Sequence, residues 1–148
     1  MHVSNSREQQ YAESFILKQL NLDEGYNLIP SKVSLPCGSL VQIDGYDQEK
    51  KVLCEVYARI GKLKGSQPDK LASDFLKMLF IEKEIGELHT KIFCFVSDDA
   101  KAYLTGKSWL GAAAKKFGIT IKTIPLPPHL QESIKDAQLR QKMVNSSF

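Results

Sequence analysis

Apolar residues recur along this chain with two different periods, which divide it into helices and strands. Spacing of three to four residues, typical of an amphipathic helix, predicts helices over four segments: 7–20, 69–85, 100–117 and 129–144. Short apolar or alternating runs between them predict strands over five segments: 32–35, 39–44, 51–59, 91–96 and 119–124. The fourth run is apolar at almost every position, which is typical of a strand buried on both faces.

The order of these elements predicts the fold class. One helix, three strands and then helices alternating with strands favour an α/β fold, with a mixed sheet flanked by helices. The polar segment 45–50 separates the second and third strands and predicts a hairpin connection. A length of 148 residues suits one domain, so we predict a single domain over 1–148.

Composition excludes several classes of protein. With 43% hydrophobic and 25% charged residues, the chain is unlike disordered, collagen-like or coiled-coil sequences. No apolar run approaches the roughly 20 residues of a membrane span, and no signal peptide is expected. The three cysteines lack metal-ligand spacing, so we predict buried free thiols and a cytoplasmic location. A net charge of +3 does not by itself indicate nucleic acid, so a basic surface requires clustering.

Two acidic residues stand out in the predicted hairpin. Glu55 lies in the middle of an apolar strand, where an unpaired carboxylate is costly. Asp44 ends the preceding strand, so hairpin pairing brings the two carboxylates together. Like charges this close repel each other, and a divalent cation relieves the repulsion. Carboxylate oxygens completed by water and phosphate suit Mg²⁺.

The same residues also fit a purely structural arrangement. Arg59 and Lys51 share the predicted strand face of Glu55, so either can neutralise it. Asp44 then only begins a turn with Gly45. Spacing alone does not decide between the two arrangements.

The acidic pair and the order of elements resemble the PD-(D/E)XK nuclease superfamily, which includes restriction-endonuclease-like and Holliday-junction-resolvase-like enzymes. Segment 43–65 carries the motif, from Ile43-Asp44-Gly45 to Glu55-Val56-Tyr57, and the order of elements extends the resemblance over about 7–124. The ending 137–145 is also similar to that of small bacterial proteins with this segment. The resemblance implies a restriction-endonuclease-like αβββαβ core with an extra C-terminal helix-strand-helix region.

The resemblance also implies an activity and its residues. The expected activity is phosphodiester hydrolysis of nucleic acid, with DNA as the expected substrate and Mg²⁺ or Mn²⁺ as cofactor. Asp44 and Glu55 correspond to the metal ligands, together with the backbone carbonyl of Val56. Glu13 on the first helix corresponds to a third acidic group, and Glu8 is the second candidate for that role.

One position departs from the superfamily pattern. Tyr57 replaces the lysine of Glu-x-Lys, and no proline precedes Asp44. That lysine orients the attacking water and stabilises negative charge in the transition state. A tyrosine, with an ordinary pKa near 10, is a poor substitute for a cation, although it remains a candidate hydrogen-bonding catalytic group. Lys70 and Arg59 are the preferred replacement cations, ahead of Lys62 and Lys64.

A basic loop follows the third strand. Lys62 and Lys64 lie between two glycines and lead into a helix, so they are expected to position a phosphate backbone. Gln67 resembles a glutamine that some superfamily members place near the attacking water. The expected partners are nucleic acid and a second copy in a homodimer, or a separate subunit, but no membrane. The alternative is a catalytically inactive nuclease-like module that binds nucleic acid or a partner protein.

Overall fold

The computed structural model describes residues 7–61 and 67–146. The described helices are α1 (Arg7–Glu24), α2 (Gln67–Ile85), α3 (Asp98–Thr105), α4 (Trp109–Lys116) and α5 (Pro128–Ser146). The strands are β1 (Ile29–Ser34), β2 (Leu40–Asp47), β3 (Val52–Tyr57), β4 (Thr90–Phe95) and β5 (Thr120–Thr123). The predicted α/β class with a mixed sheet is confirmed. Within the described residues, no helix is both long and apolar enough to cross a membrane.

The five strands form one open sheet in the order β1-β2-β3-β4-β5. β2 runs antiparallel to both of its neighbours, β1 and β3. β3, β4 and β5 run parallel to one another. Parallel neighbours need crossovers, which α2 provides between β3 and β4, and α3 with α4 between β4 and β5. β3 therefore has a strand on each side, and all six of its residues are buried.

Hydrophobic cores lie on both sides of the sheet. On one side, which we call the α2 face, Leu53 and Phe93 pack with buried residues of α2, α3 and α4. On the other side, which we call the α1 face, Cys54 and Ile92 pack with buried residues of α1 and α5. The near-continuous apolar run of β4 follows from this arrangement, because alternate side chains enter different cores. Its predicted burial on both faces is confirmed.

The cysteines only partly follow expectation. Cys54 and Cys94 are buried free thiols, as predicted, and burial raises the pKa of Cys94 to about 12. Cys37 is also a free thiol but is exposed, so its predicted burial is wrong. It lies in the connection between β1 and β2, where its backbone N–H donates to Glu84 at 2.8 Å.

The predicted helix over 100–117 is wrong as one continuous element, because the chain breaks between α3 and α4. Gly106 ends α3, and its N–H donates to the carbonyl of Ala102 at 3.0 Å. Ser108 then caps α4 by accepting from the N–H of Gly111 at 3.0 Å. A Cβ at Gly111 would stand 2.8 Å from the carbonyl oxygen of Leu104, so the two short helices pack at a distance that only glycine allows.

The predicted end of the second strand at Asp44 is also wrong, since β2 continues to Asp47. Asp47 closes the turn to β3, where its carboxylate accepts from the N–H of Lys50 at 2.9 Å and of Asn27 at 2.8 Å. The backbone N–H bonds from Lys50 and Asn27 keep the pKa of Asp47 below its ordinary value despite its burial. Gly45 and Tyr46, predicted to lie in the connection, are therefore strand residues.

A β-bulge interrupts β2 beside its acidic residue. Ile29 pairs with Tyr46 and Ser31 pairs with Ile43, so two steps along β1 face three along β2. Such a bulge bends the strand and changes where the side chain of Asp44 points. A Cβ at Gly45 would stand 2.8 Å from a methyl group of Leu17, so α1 packs directly on the strand backbone here.

Candidate functional site

Asp44 and Glu55 meet where β2 and β3 separate. Backbone pairing of these strands runs from Asp47 opposite Val52 to Gly45 opposite Cys54. At the next positions, Asp44 Oδ2 accepts from the Val56 N–H at 2.9 Å. The Asp44 N–H donates in turn to Glu55 Oε1 at 3.4 Å. The two carboxylates therefore take the place of the backbone partners that the separating strands lose.

Glu55 is buried, with only 3% of its surface exposed. Burial raises its pKa well above the ordinary value, and the charges of Asp44 and Asp74 raise it further. The opposing charge is that of Lys77 on α2, whose Nζ lies 3.0 Å from Glu55 Oε1. The predicted alternative partners Arg59 and Lys51 are therefore wrong, because the neutralising cation comes from the helix that packs over the strand.

Lys77 also joins a second carboxylate to the site. Its Nζ lies 3.3 Å from Asp74 Oδ1, one helical turn away on α2. Burial lowers the pKa of Lys77, but the charges of Glu55 and Asp74 outweigh burial, so the net shift is upward. Lys77 therefore stays protonated between the two acids.

Tyr57, which replaces the family lysine, serves this network as a hydrogen-bond donor. Its hydroxyl donates to Asp74 Oδ2 at 2.6 Å, and its ring stacks on Phe95 with centroids 5.2 Å apart. Burial raises the pKa of Tyr57 well above 10, and the charge of Asp74 adds to the shift. Tyr57 therefore keeps its proton and holds Asp74 in place.

Glu13 approaches the acidic pair from α1. Burial raises its pKa from 4.5 to about 7, with a further contribution from the charge of Asp44 and opposition from that of Lys70. Lys70, on the first turn of α2, places its Nζ 5.8 Å from the centroid of the Tyr57 ring. Glu13 thus lies near Asp44, and Lys70 lies near Glu13 and Tyr57. The second candidate, Glu8, instead forms an ion pair with Arg140 of α5 at 2.6 Å.

The remaining predicted residues are Arg59, Gln67, Lys62 and Lys64. Arg59 is partly buried, burial lowers its pKa, and its Nε has no hydrogen-bond partner within the described residues. Gln67 begins α2 and is partly buried. Lys62 and Lys64 lie outside the described residues.

Asp74 and Lys77 are not among the residues predicted from the sequence. A signal for Asp74 exists, because it lies between Leu71 and Met78 at i+3 and i+7 spacing, on the apolar stripe of α2. A carboxylate on such a stripe needs a buried partner. The sequence around Lys77 gives no comparable indication, since a helical pattern does not distinguish a lysine that pairs with a buried acid from one that faces solvent.

No protein family model, curated protein or solved structure matches this chain. Within 7–61 and 67–146, no group of three or more His, Cys, Asp or Glu side chains is arranged to hold a metal ion. The acidic pair Asp44 and Glu55 is a smaller donor set. Mg²⁺ is compatible with such a set, because it commonly takes one or two carboxylates and retains water or phosphate as its other ligands.

Among the described residues, acidic groups outnumber basic groups around the pair. Four carboxylates and two ammonium groups of the described ranges lie around this point, so these six groups, when fully ionised, carry two more negative than positive charges. The groups concerned are Glu13, Asp44, Glu55, Asp74, Lys70 and Lys77. Burial is the main cause of the raised pKa values of Glu13 and Glu55, and the charge of Asp44 raises both further. Either proton uptake or a bound cation relieves the repulsion among these carboxylates.

Glu13→Gln is expected to flatten the pH dependence of stability in metal-free protein. Because the pKa of Glu13 is about 7 when folded and 4.5 ordinarily, the folded state binds the extra proton between those values. The free energy of unfolding therefore falls as pH rises through this window. After allowance for the partial exposure of the group, we expect wild type to lose about 1–2 kcal/mol more than Glu13→Gln.

Urea unfolding near pH 5 and pH 8, in the presence of a chelator, measures this difference. Glu132→Gln, at an exposed position of α5, is the matched control and should follow wild type. Equal pH dependence in wild type and Glu13→Gln would show that Glu13 has an ordinary pKa.

Proposed function

We propose that this protein is a metal-dependent nuclease of the PD-(D/E)XK type, with a restriction-endonuclease-like core. The observation that carries the proposal is the meeting of Asp44 and Glu55 at the separation of β2 and β3, with Lys77 3.0 Å from Glu55. The order α1-β1-β2-β3-α2-β4 supports such a core. The elements from α3 to α5 are then its C-terminal addition.

In this proposal, Asp44 and Glu55 hold Mg²⁺ or Mn²⁺, with the carbonyl of Val56 as a further ligand. The bound ion would polarise the scissile phosphate and make a nearby water a stronger acid. Asp44 is already held in place by the Val56 N–H at 2.9 Å. Glu13, with a pKa of about 7, suits a group that accepts a proton near neutral pH.

Lys77 supplies the cation that the strand lacks. Tyr57 cannot carry positive charge, but the ammonium of Lys77 reaches the carboxylate of Glu55 from α2. A fixed cation beside the acidic pair stabilises negative charge that develops on phosphate. We therefore assign this role to Lys77 in place of Arg59. Lys70, more exposed and beside Glu13, is placed to contact an adjacent phosphate.

One observation favours a second candidate, an inactive module that binds nucleic acid or a partner protein. Glu55, Lys77, Asp74 and Tyr57 already form a connected network, with distances between 2.6 and 3.3 Å. Such a network can be purely structural, since each buried charge in it has a partner. The two candidates differ in their response to metal, because a structural network gains nothing from a divalent cation.

The test is cleavage of plasmid DNA, linear duplex, single-stranded DNA and RNA in Mg²⁺ or Mn²⁺, compared with a chelator. We expect metal-dependent cleavage of at least one DNA substrate, and a melting temperature that rises with metal because binding stabilises the folded state. Asp44→Asn protein purified in parallel reports contaminating nuclease. Absence of both cleavage and stabilisation in folded protein would reject the nuclease and favour the second candidate.

A further inference from the structure

Positive charge is concentrated in one part of the chain. Residues 100–131 contain five lysines and no acidic residue, which leaves 15 basic and 17 acidic residues elsewhere. Two of the five are neutralised, since Lys101 lies 3.0 Å from Asp98 and Lys122 pairs with Glu24. The other three, which are exposed and form no ion pair within the described residues, are Lys107, Lys115 and Lys116.

These lysines lie before and after an exposed tryptophan of α4 along the chain. Leu110 and Ala114 anchor the inner side of this helix in the core of the α2 face. The outer side carries Trp109, whose exposed fraction is 72%. We call this exposed set the α4 surface, and it consists of Lys107, Trp109, Ala112, Lys115 and Lys116.

The spacing on α4 gives the surface a defined shape. At 3.6 residues per turn, Trp109, Ala112 and Lys116 lie along one line, about 10 Å from end to end. Lys115 flanks this line, and Lys107 immediately precedes the helix. Ala112, three residues after Trp109, has a small side chain, so no bulky residue of α4 covers the indole on the outer side.

A flat aromatic ring among unneutralised lysines matches the chemistry of single-stranded nucleic acid. Proteins bind single strands by stacking bases on aromatic rings while lysines contact the backbone phosphates. A duplex has few free base faces for the tryptophan ring to stack on, because its bases are already stacked on one another. A membrane surface fits less well, since interfacial helices need a broad apolar face, whereas Trp109 is the single large apolar side chain on the outer side of α4.

We propose that the α4 surface binds single-stranded nucleic acid, with Trp109 stacked on an unpaired base and the three lysines on flanking phosphates. α4 packs on the same face of the sheet as α2, and Phe117 beyond its end contacts Phe75 of α2 with ring centroids 5.7 Å apart. Binding at this surface is independent of hydrolysis. Only one corollary, that single strands are the substrate at Asp44 and Glu55, rests on the proposed function.

Trp109 is the single tryptophan of the chain, so intrinsic fluorescence reports on this surface directly. The protein is titrated with oligo-dT, oligo-rU and a duplex of equal length, in a chelator so that cleavage cannot interfere. We expect the single strands to quench the fluorescence at lower concentrations than the duplex does. The DNA and RNA arms show which single strand is preferred.

Variants locate the binding, measured as the anisotropy of a labelled single-stranded oligonucleotide. Trp109→Ala should weaken affinity about 5- to 150-fold, the range found for loss of one base–aromatic stack. Combined replacement of Lys107, Lys115 and Lys116 by Gln should reduce the dependence of log affinity on log salt by about 2. The control replaces three exposed lysines elsewhere by Gln, with the same change in net charge: Lys18, Lys83 and Lys142.

Three results would overturn the proposal. They are absence of quenching by any oligonucleotide at low salt, equal affinity in Trp109→Ala and wild type, and quenching by anionic vesicles but not by oligonucleotides. The Asp44→Asn protein separates this inference from the proposed function. If it binds single strands while wild type cleaves nothing, only the nuclease fails. If wild type cleaves but Trp109→Ala binds as wild type does, only the α4 surface fails.

Discussion

Asp44→Asn is expected to lower the rate of metal-dependent cleavage by a factor on the order of 10³. A metal ion contributes several kcal/mol of transition-state stabilisation, and each 1.4 kcal/mol is a factor of ten in rate. The amide of Asn can keep its oxygen on the Val56 N–H, where Asp44 Oδ2 now accepts at 2.9 Å. It loses the charge that would hold the cation. Glu55→Gln should have an effect of similar size for the same reason.

These variants are informative because they are nearly isosteric. Both should remain folded, and both should lose the rise in melting temperature with Mg²⁺ that wild type shows. Asp136→Asn, an exposed carboxylate on α5, is the matched control and should cleave at the wild-type rate. Full activity in Asp44→Asn would place the active site elsewhere.

Lys77→Met should destabilise the fold by about 2–4 kcal/mol near pH 8. The substitution leaves the carboxylates of Glu55 and Asp74 without the ammonium that lies 3.0 and 3.3 Å from them. Removing one member of a buried ion pair is costly because the remaining charge stays desolvated, although the partial exposure of Lys77 reduces the cost. The loss should diminish toward pH 5, since burial raises the pKa of Glu55 and lets it become neutral in the folded state.

Urea unfolding of four proteins measures this coupling: wild type, Lys77→Met, Glu55→Gln and the double variant. The double variant should lose less stability than the two single losses combined, because neither charge is then left alone. Lys83→Met, on an exposed position of the same helix, should change stability by less than about 0.5 kcal/mol. Additive losses in the double variant would mean that Lys77 and Glu55 are not coupled.

The acidic pair shows how far local sequence reasoning reaches. A glutamate in an apolar strand predicts a partner, because a lone buried charge is too costly, and Glu55 has one. The identity of that partner depends on how α2 packs over β3, which strand periodicity does not encode. For this reason strand periodicity points to cations on the same strand, such as Arg59, whereas Lys77 comes from a helix in another layer.

The ends of β2, α3 and α4 are harder to predict from the sequence for a different reason. The end of β2 is misjudged because Gly45 is taken as a turn residue, whereas the structure uses the glycine for close packing against Leu17. The break between α3 and α4 has a local signal in Gly106 and the capping residue Ser108, but helical spacing on either side obscures it. In both cases a glycine is compatible with more than one local structure, such as a turn, a helix end or a close packing contact. Packing against the neighbouring elements determines which one forms.

Because of the bulge in β2, the geometry of the site depends on the number of residues in this strand as well as on their identity. Three residue steps along β2 span the distance that two residue steps span along the neighbouring β1. Removing one residue here would restore regular pairing and invert the side-chain alternation of one part of the strand relative to the other. Among divergent sequences, substitutions around Asp44 at positions other than Gly45 should therefore be tolerated more readily than single-residue deletions. The spacing between the two acids can vary instead in the turn at 48–51, which lies beyond the paired residues.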